Sequence, residues 1–135
     1  MNIKLVVAIT GLGLAGAVMP MLAHHSVSAQ YDVSAAITIQ GVVTKTDWTN
    51  PHARFWVDVK NEDGTVSTWQ MELPAPNALR RENVKMDFVK QGDQVTVNLW
   101  RAKDGSRLAH TLTLIVPDGR VMNFPRDWGM PANSN

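Results

Sequence analysis

The chain has 135 residues, thirteen Lys or Arg against twelve Asp or Glu, and no cysteine. A near-neutral balance argues against nucleic acid or an anionic membrane as the main partner, and the missing cysteine excludes disulfides, thiolate metal sites and thiol nucleophiles. The length supports one compact domain with a modest core, to which the 5 Trp bring large apolar areas.

Lys4, the apolar run Leu5 to Met19 and the exit Pro20 to Ala23 read together as a cleaved secretory signal over residues 1–23. The run is broken by Gly11, Gly13 and Gly16 and falls short of the roughly 20 residues that a spanning helix needs. The expectation is a periplasmic or secreted protein with no membrane span after cleavage. A cut after Ala29 satisfies the small-residue rule better, but the cut after Ala23 lies closer to the apolar run and is preferred. It leaves 112 residues with twelve basic and twelve acidic, because Lys4 is the only charge removed. His24 then becomes the first residue of a histidine-led arm over 24–36.

From Ile37 the pattern is that of strands, predicted as a barrel over 37–124. Ile37 to Trp48 is a long β-branched stretch interrupted by Gly41, where a bulge or bend would let one strand serve two sides of a barrel. Over Ala53 to Lys60, Phe55, Val57 and Val59 alternate with Arg54, Trp56 and Asp58. Asp63-Gly64 makes a hairpin turn into Val66 to Leu73, with Trp69, Met71 and Leu73 on the inner face and Thr68, Gln70 and Glu72 on the other. Pro74-Ala75-Pro76 ends the sheet, Asn77 is placed to cap a short helix through Arg81, and a second half-helical piece is read over Val84 to Val89. Val95, Val97 and Leu99 begin another hairpin, which turns at Asp104-Gly105 into Leu108 to Val116; a short strand at Val121 to Phe124 and a polar tail, 125–135, close the chain. The order predicts an all-β fold of small α content, a five- to six-stranded OB-like Greek-key β-barrel with a short helix between strands 3 and 4.

An N-terminal histidine has an α-amine and a ring Nδ1 that close a six-membered chelate on one metal ion, and His25 adds a second imidazole. Nitrogen donors favour copper first and zinc second. A further ligand must come through folding: His52, presented by the Asn50-Pro51 turn, is the expected donor, with Glu72 able to add an oxygen. The bland reading is that His24 and His25 are solvated residues of a frayed terminus and His52 a turn residue bonded to backbone. His110, in phase with Leu108, Leu112 and Leu114, reads as a core-side or barrel-end histidine.

A different class of function comes from the barrel wall. Arg54, Trp56, Asp58 and Gln70, with Thr68 and Glu72, would form an outer strand face able to bind a partner protein, peptide or glycan without metal. The competing reading is a set of ordinary cross-strand charges with Trp56 covering the sheet. Nucleic acid is disfavoured by neutrality and export, and no catalytic residue is assigned, because the carboxylates and Ser26 have no cleft or nucleophile-elbow context.

Ala23-His24-His25-Ser26, Tyr31-Asp32, Gly41-Val42-Val43-Thr44-Lys45, Trp48-Thr49-Asn50-Pro51-His52-Ala53, Pro76-Asn77-Ala78-Leu79, Gly92-Asp93 and Arg101-Ala102-Lys103-Asp104-Gly105-Ser106 resemble a family of small exported bacterial proteins carried as a domain of unknown function. The resemblance runs up to Arg120 and implies export, a small β-barrel and a mature chain beginning at His24. His110 lies outside its motifs, as does the tail from Val121.

Overall fold

The computed structural model describes residues 26–128. A single helical turn, α1 (Val27–Gln30), leads into β1 (Tyr31–Asp47), β2 (Arg54–Lys60) and β3 (Val66–Glu72); α2 (Pro76–Arg81) connects to β4 (Gln94–Ala102), β5 (Leu108–Ile115) and β6 (Val121–Asn123). β1 pairs with β2 and β4, β2 with β3, and β4 with β5, all antiparallel, while β3 pairs in parallel with β5. Those pairings close a ring of five strands, the OB-like barrel expected from the sequence, with β6 added on the outer side of β5. The first strand begins at Tyr31, so it takes in the last six residues of the stretch read as an arm.

The period of two decides which side chains enter the barrel. Phe55, Val57, Met71, Val97, Leu99 and Leu114 are shut off from solvent, with Trp69 and Val95 nearly so. Gly41 is not itself the bulge. A Cβ there would run into the Asp58 carbonyl and stand 2.7 Å from Val57 Cγ1, so glycine is needed for the close approach of β1 to β2. The extra residue is Thr44, between the pairs Val43↔Val57 and Lys45↔Trp56. A second irregularity falls at Leu112, between Leu99↔Thr111 and Asn98↔Thr113. It breaks the phase predicted for the last long strand: Leu114 joins the barrel core, whereas Leu112 packs with Val27, Tyr31, Trp100 and Ala102 in a separate cluster.

Three local readings need correction. α2 is capped by Ala75 with Pro76 at its first turn, and Asn77 lies inside the helix, where its Oδ1 accepts from Arg80 Nη1 at 3.0 Å. The stretch 84–89 is not helical but a series of turns. The helix is stopped by Asn83 at φ 59°, with Asn83 N donating to the Arg80 carbonyl and Val84 N to the Leu79 carbonyl, the paired bonds of a Schellman end. The tail, 125–135, is not simply polar either, since Trp128 is buried against the barrel.

Candidate functional site

Residues with even numbers on β2, β3 and β4 face outward, and cross-strand register lines them up. Arg54 pairs with Glu72, Glu72 with His110, and His110 with Trp100, so one row crosses four adjacent strands on the outside of the barrel. The next row is Trp56, Gln70 and Leu108, and beyond it lie Asp58 and Thr68. Glu72, proposed as a metal ligand, and the residues proposed for a strand-face ligand therefore occupy one continuous surface.

The first row is covered from both ends of the described chain. Tyr31 reaches over it from the start of β1, and its hydroxyl donates to Glu72 Oε2 at 2.6 Å. Asp47 Oδ1 accepts from Thr49 N and Thr49 Oγ1 at 3.1 and 2.8 Å, ordering the loop that leads to Pro51 and His52. His52 Nδ1 comes within 3.9 Å of Glu72 Oε2, and Arg54 Nε within 3.6 Å of Oε1. Both distances exceed hydrogen-bond length, so the carboxylate is held by one short bond and two looser electrostatic contacts.

From the other end, Trp128 lies flat on His110, with ring centres 4.0 Å apart and planes 9° from parallel. Its indole N–H donates to the Thr111 carbonyl at 3.0 Å, and His52 meets its ring edge-on at 5.4 Å. Trp100 also stacks on His110, and Arg126 places its guanidinium over Trp100. Tyr31 and His110 complete the circuit at 5.4 Å. Tyr31, Glu72, His52, Trp128 and His110 thus form a closed ring of side-chain contacts drawn from five separate segments.

The protonation states follow from this burial. Desolvation holds the Tyr31 phenol well above its ordinary range, and the bond to Glu72 and that carboxylate's charge push the same way, so Tyr31 is a donor at any physiological pH. Burial depresses His110 to about 4; a hydrogen bond to the Arg126 backbone works against this and the nearness of His52 adds to it. His110 is therefore a neutral imidazole, and its Nε2 is buried without a partner, as are Trp100 Nε1 and Arg54 Nε in the same row. His52 keeps 33% of its side chain open, whereas His110 is almost fully buried.

Of the residues named from sequence, His52, Glu72 and Arg54 are brought together, and Trp56, Gln70 and Asp58 adjoin them one and two rows away. His24, His25 and the signal segment lie outside the described residues. Among the described residues no three His, Asp or Glu side chains gather in a group that could hold a metal ion. Sequence reading missed Tyr31, Trp100 and Trp128 as members of the site. The signal was present in Trp128, a large aromatic in the stretch read as a polar tail.

No helix among the described residues is long and apolar enough to cross a membrane. A search of curated proteins finds no match. Among solved structures, the chain is similar to the mitochondrial single-stranded DNA-binding protein Rim1 of S. cerevisiae, with 10% identity over 62% of this chain and 93% of that one and a TM-score of 0.47. Residues 12–111 match the family described as "Family of unknown function (DUF6152)", and the protein belongs to that family.

Proposed function

We propose that this is an exported binding protein for a transition metal ion, copper before zinc, held by His24 at the mature N-terminus together with His25 and His52, with Glu72 beside them. One observation carries the reading: His52 and Glu72, twenty positions apart, meet at the end of the barrel where the N-terminal segment enters. Val27 is buried against Tyr31 and Trp100, and His24 lies three residues before it, within about 10 Å of extended chain. The residues fit a metal of mixed nitrogen and oxygen preference. His52 is open enough to donate, and Glu72 supplies negative charge already oriented by Tyr31. Copper bound there would be held by an amine, imidazoles and a carboxylate, all of which must be free of protons.

The test is titration of Cu²⁺ into four forms of the processed chain by isothermal calorimetry. The form starting at His24 binds one ion, and affinity falls as pH drops from about 8 toward 5. A form with one residue added before His24 loses the amine chelate and binds more weakly. His52→Ala also binds more weakly, whereas His110→Ala does not. Equal affinity in the first three forms rejects the proposal, and so does a mature terminus at Gln30.

A second reading, a metal-free binding module on the strand face, is favoured by a separate observation. A groove of about 460 Å³ runs along that face, lined by Trp56, Thr68, Gln70, Ser106, Arg107 and Leu108.

A further inference from the structure

We propose that the first half of β1 is an open edge at which two copies of this chain pair, antiparallel, about a two-fold axis through Thr38; the inference is independent of the metal and strand-face readings. β1 is paired to β4 from Ala36 to Val42, but to β2 only from Val42 onward. β2 runs on to Lys60, paired there with Val66 of β3 and not with β1. Along Ala36 to Gln40, one side of β1 therefore has no strand beside it among the described residues.

The alternation of an antiparallel ladder tells which backbone groups are left over. Val43 N donates to the Asp93 carbonyl at 2.9 Å, and the Val43 carbonyl accepts from Gly92 N at 2.8 Å, so the odd-numbered residues turn their backbone groups toward β4. Ala36, Thr38 and Gln40, all exposed, turn theirs to the open side. These three positions are symmetric about Thr38. A two-fold pairing centred there sets Ala36 opposite the second copy's Gln40 and Thr38 opposite itself, each a pair that exchanges both backbone hydrogen bonds.

Composition selects a second copy as the occupant. Edges that stay unpaired are blunted by Lys, by Pro or by a bulge. Ala36-Ile37-Thr38-Ile39-Gln40 has no charge and no proline, in a chain of which 19% is charged. The uncharged surface continues inward along the row Thr38, Asn98, Thr113 and Asn123. An edge that receives a charged partner holds the complementary sign, whereas one that meets its own copy cannot hold a single sign without repelling it. Charges of opposite sign stand at the two ends, Asp32 before the edge and Lys60 at the end of β2, and the two-fold brings the Asp32 end of each copy to the Lys60 end of the other. The outer edge of β6 is a poorer template, three residues long with Pro125 two positions beyond it.

The processed full chain is sedimented over a wide range of concentration with a chelator present, so that no shared metal ion joins two copies. It shows a monomer–dimer equilibrium, and hydrogen exchange at the Ala36, Thr38 and Gln40 amides slows as concentration rises. Thr38→Lys sets two ammonium groups opposite each other and raises the dimer dissociation constant about tenfold or more, while the circular dichroism spectrum stays that of the parent. Thr113→Lys, two strands away on the same face, leaves the constant unchanged. In this chain without cysteine, Thr38→Cys cross-links to a dimer under mild oxidation, because a hydrogen-bonded pair has its Cα atoms about 5.5 Å apart, within disulfide reach. Val121→Cys, on the β6 edge, does not. A chain that stays monomeric throughout overturns the proposal, as does a dimer that Thr38→Lys and Thr113→Lys weaken equally, or cross-linking through Val121→Cys in place of Thr38→Cys.

Discussion

Glu72 stands directly beside His110 across the parallel pairing of β3 with β5, so barrel closure itself fixes a carboxylate next to a buried imidazole. The two side chains are then served by opposite ends of the described chain. Tyr31 holds Glu72 from the start of β1, and Trp128 lies on His110 from beyond β6. The outer row there is thereby covered by side chains, and Tyr31 and His110 are nearly as buried as the barrel interior.

Tyr31→Phe removes the one short hydrogen bond to Glu72 while keeping the ring. Because the carboxylate is mostly buried and its other contacts are long, the loss costs about 2 kcal/mol of stability. Urea unfolding measures it. In the Tyr31→Phe background, Glu72→Gln costs less than it does alone, a non-additivity that reports the direct coupling.

Stability should decline in acid through His110. Its folded-state pKa is about 4, below the unfolded value of 6.5, so between those limits the unfolded chain binds the extra proton. The stabilisation is complete above about pH 6.5 and is lost as pH falls through 4, amounting to no more than about 3 kcal/mol. Comparing melting of the parent and His110→Phe from pH 7.5 to 4 tests this, since the variant's profile is flatter.

Gly41→Ala forces a methyl group onto the Asp58 carbonyl. Neighbouring backbone cannot give way without loosening β1 from β2, so a destabilisation of about 2–3 kcal/mol is expected, against a few tenths gained from reduced freedom of the unfolded chain. Thermal melting of Gly41→Ala and of Gly64→Ala separates crowding from turn strain. Gly64 sits at φ 83° with open space around it, so only strain acts there.

Trp128→Ala deletes the indole that covers His110 and bonds to Thr111, at a cost of about 3 kcal/mol. Trp128→Phe keeps a ring on His110 but leaves the Thr111 carbonyl without its donor, and costs about 1 kcal/mol. Denaturant midpoints of the two variants rank the stack against the hydrogen bond.

The barrel was legible because its signals are local. Alternation in Phe55, Val57, Trp69 and Met71 and the glycine turns at Gly64 and Gly105 depend on neighbours a few residues away. The outer row was not legible, because it depends on register between strands distant in sequence and on two bulges that no periodicity announces. Leu112 shows the failure: its extra place in β5 turns it from the phase of Leu114 to that of the outer cluster. His52 and Glu72 could be named as partners from their chemistry. That Tyr31 and Arg54 would engage Glu72, and Trp128 would bridge the two histidines, required the closed ring.

β1 has a consequence for how the molecule comes apart. Its first half is bound to β4 and its second half to β2, with Val42 paired on both sides. The hairpin of β2 and β3 and the hairpin of β4 and β5 therefore share one wall strand, and neither encloses a core once that strand is released. Partial unfolding has no resting place between the two halves. Hydrogen exchange at amides near Gly41 to Val43 should report the same opening free energy as global unfolding, whereas the edge amides of β6 exchange by local fraying.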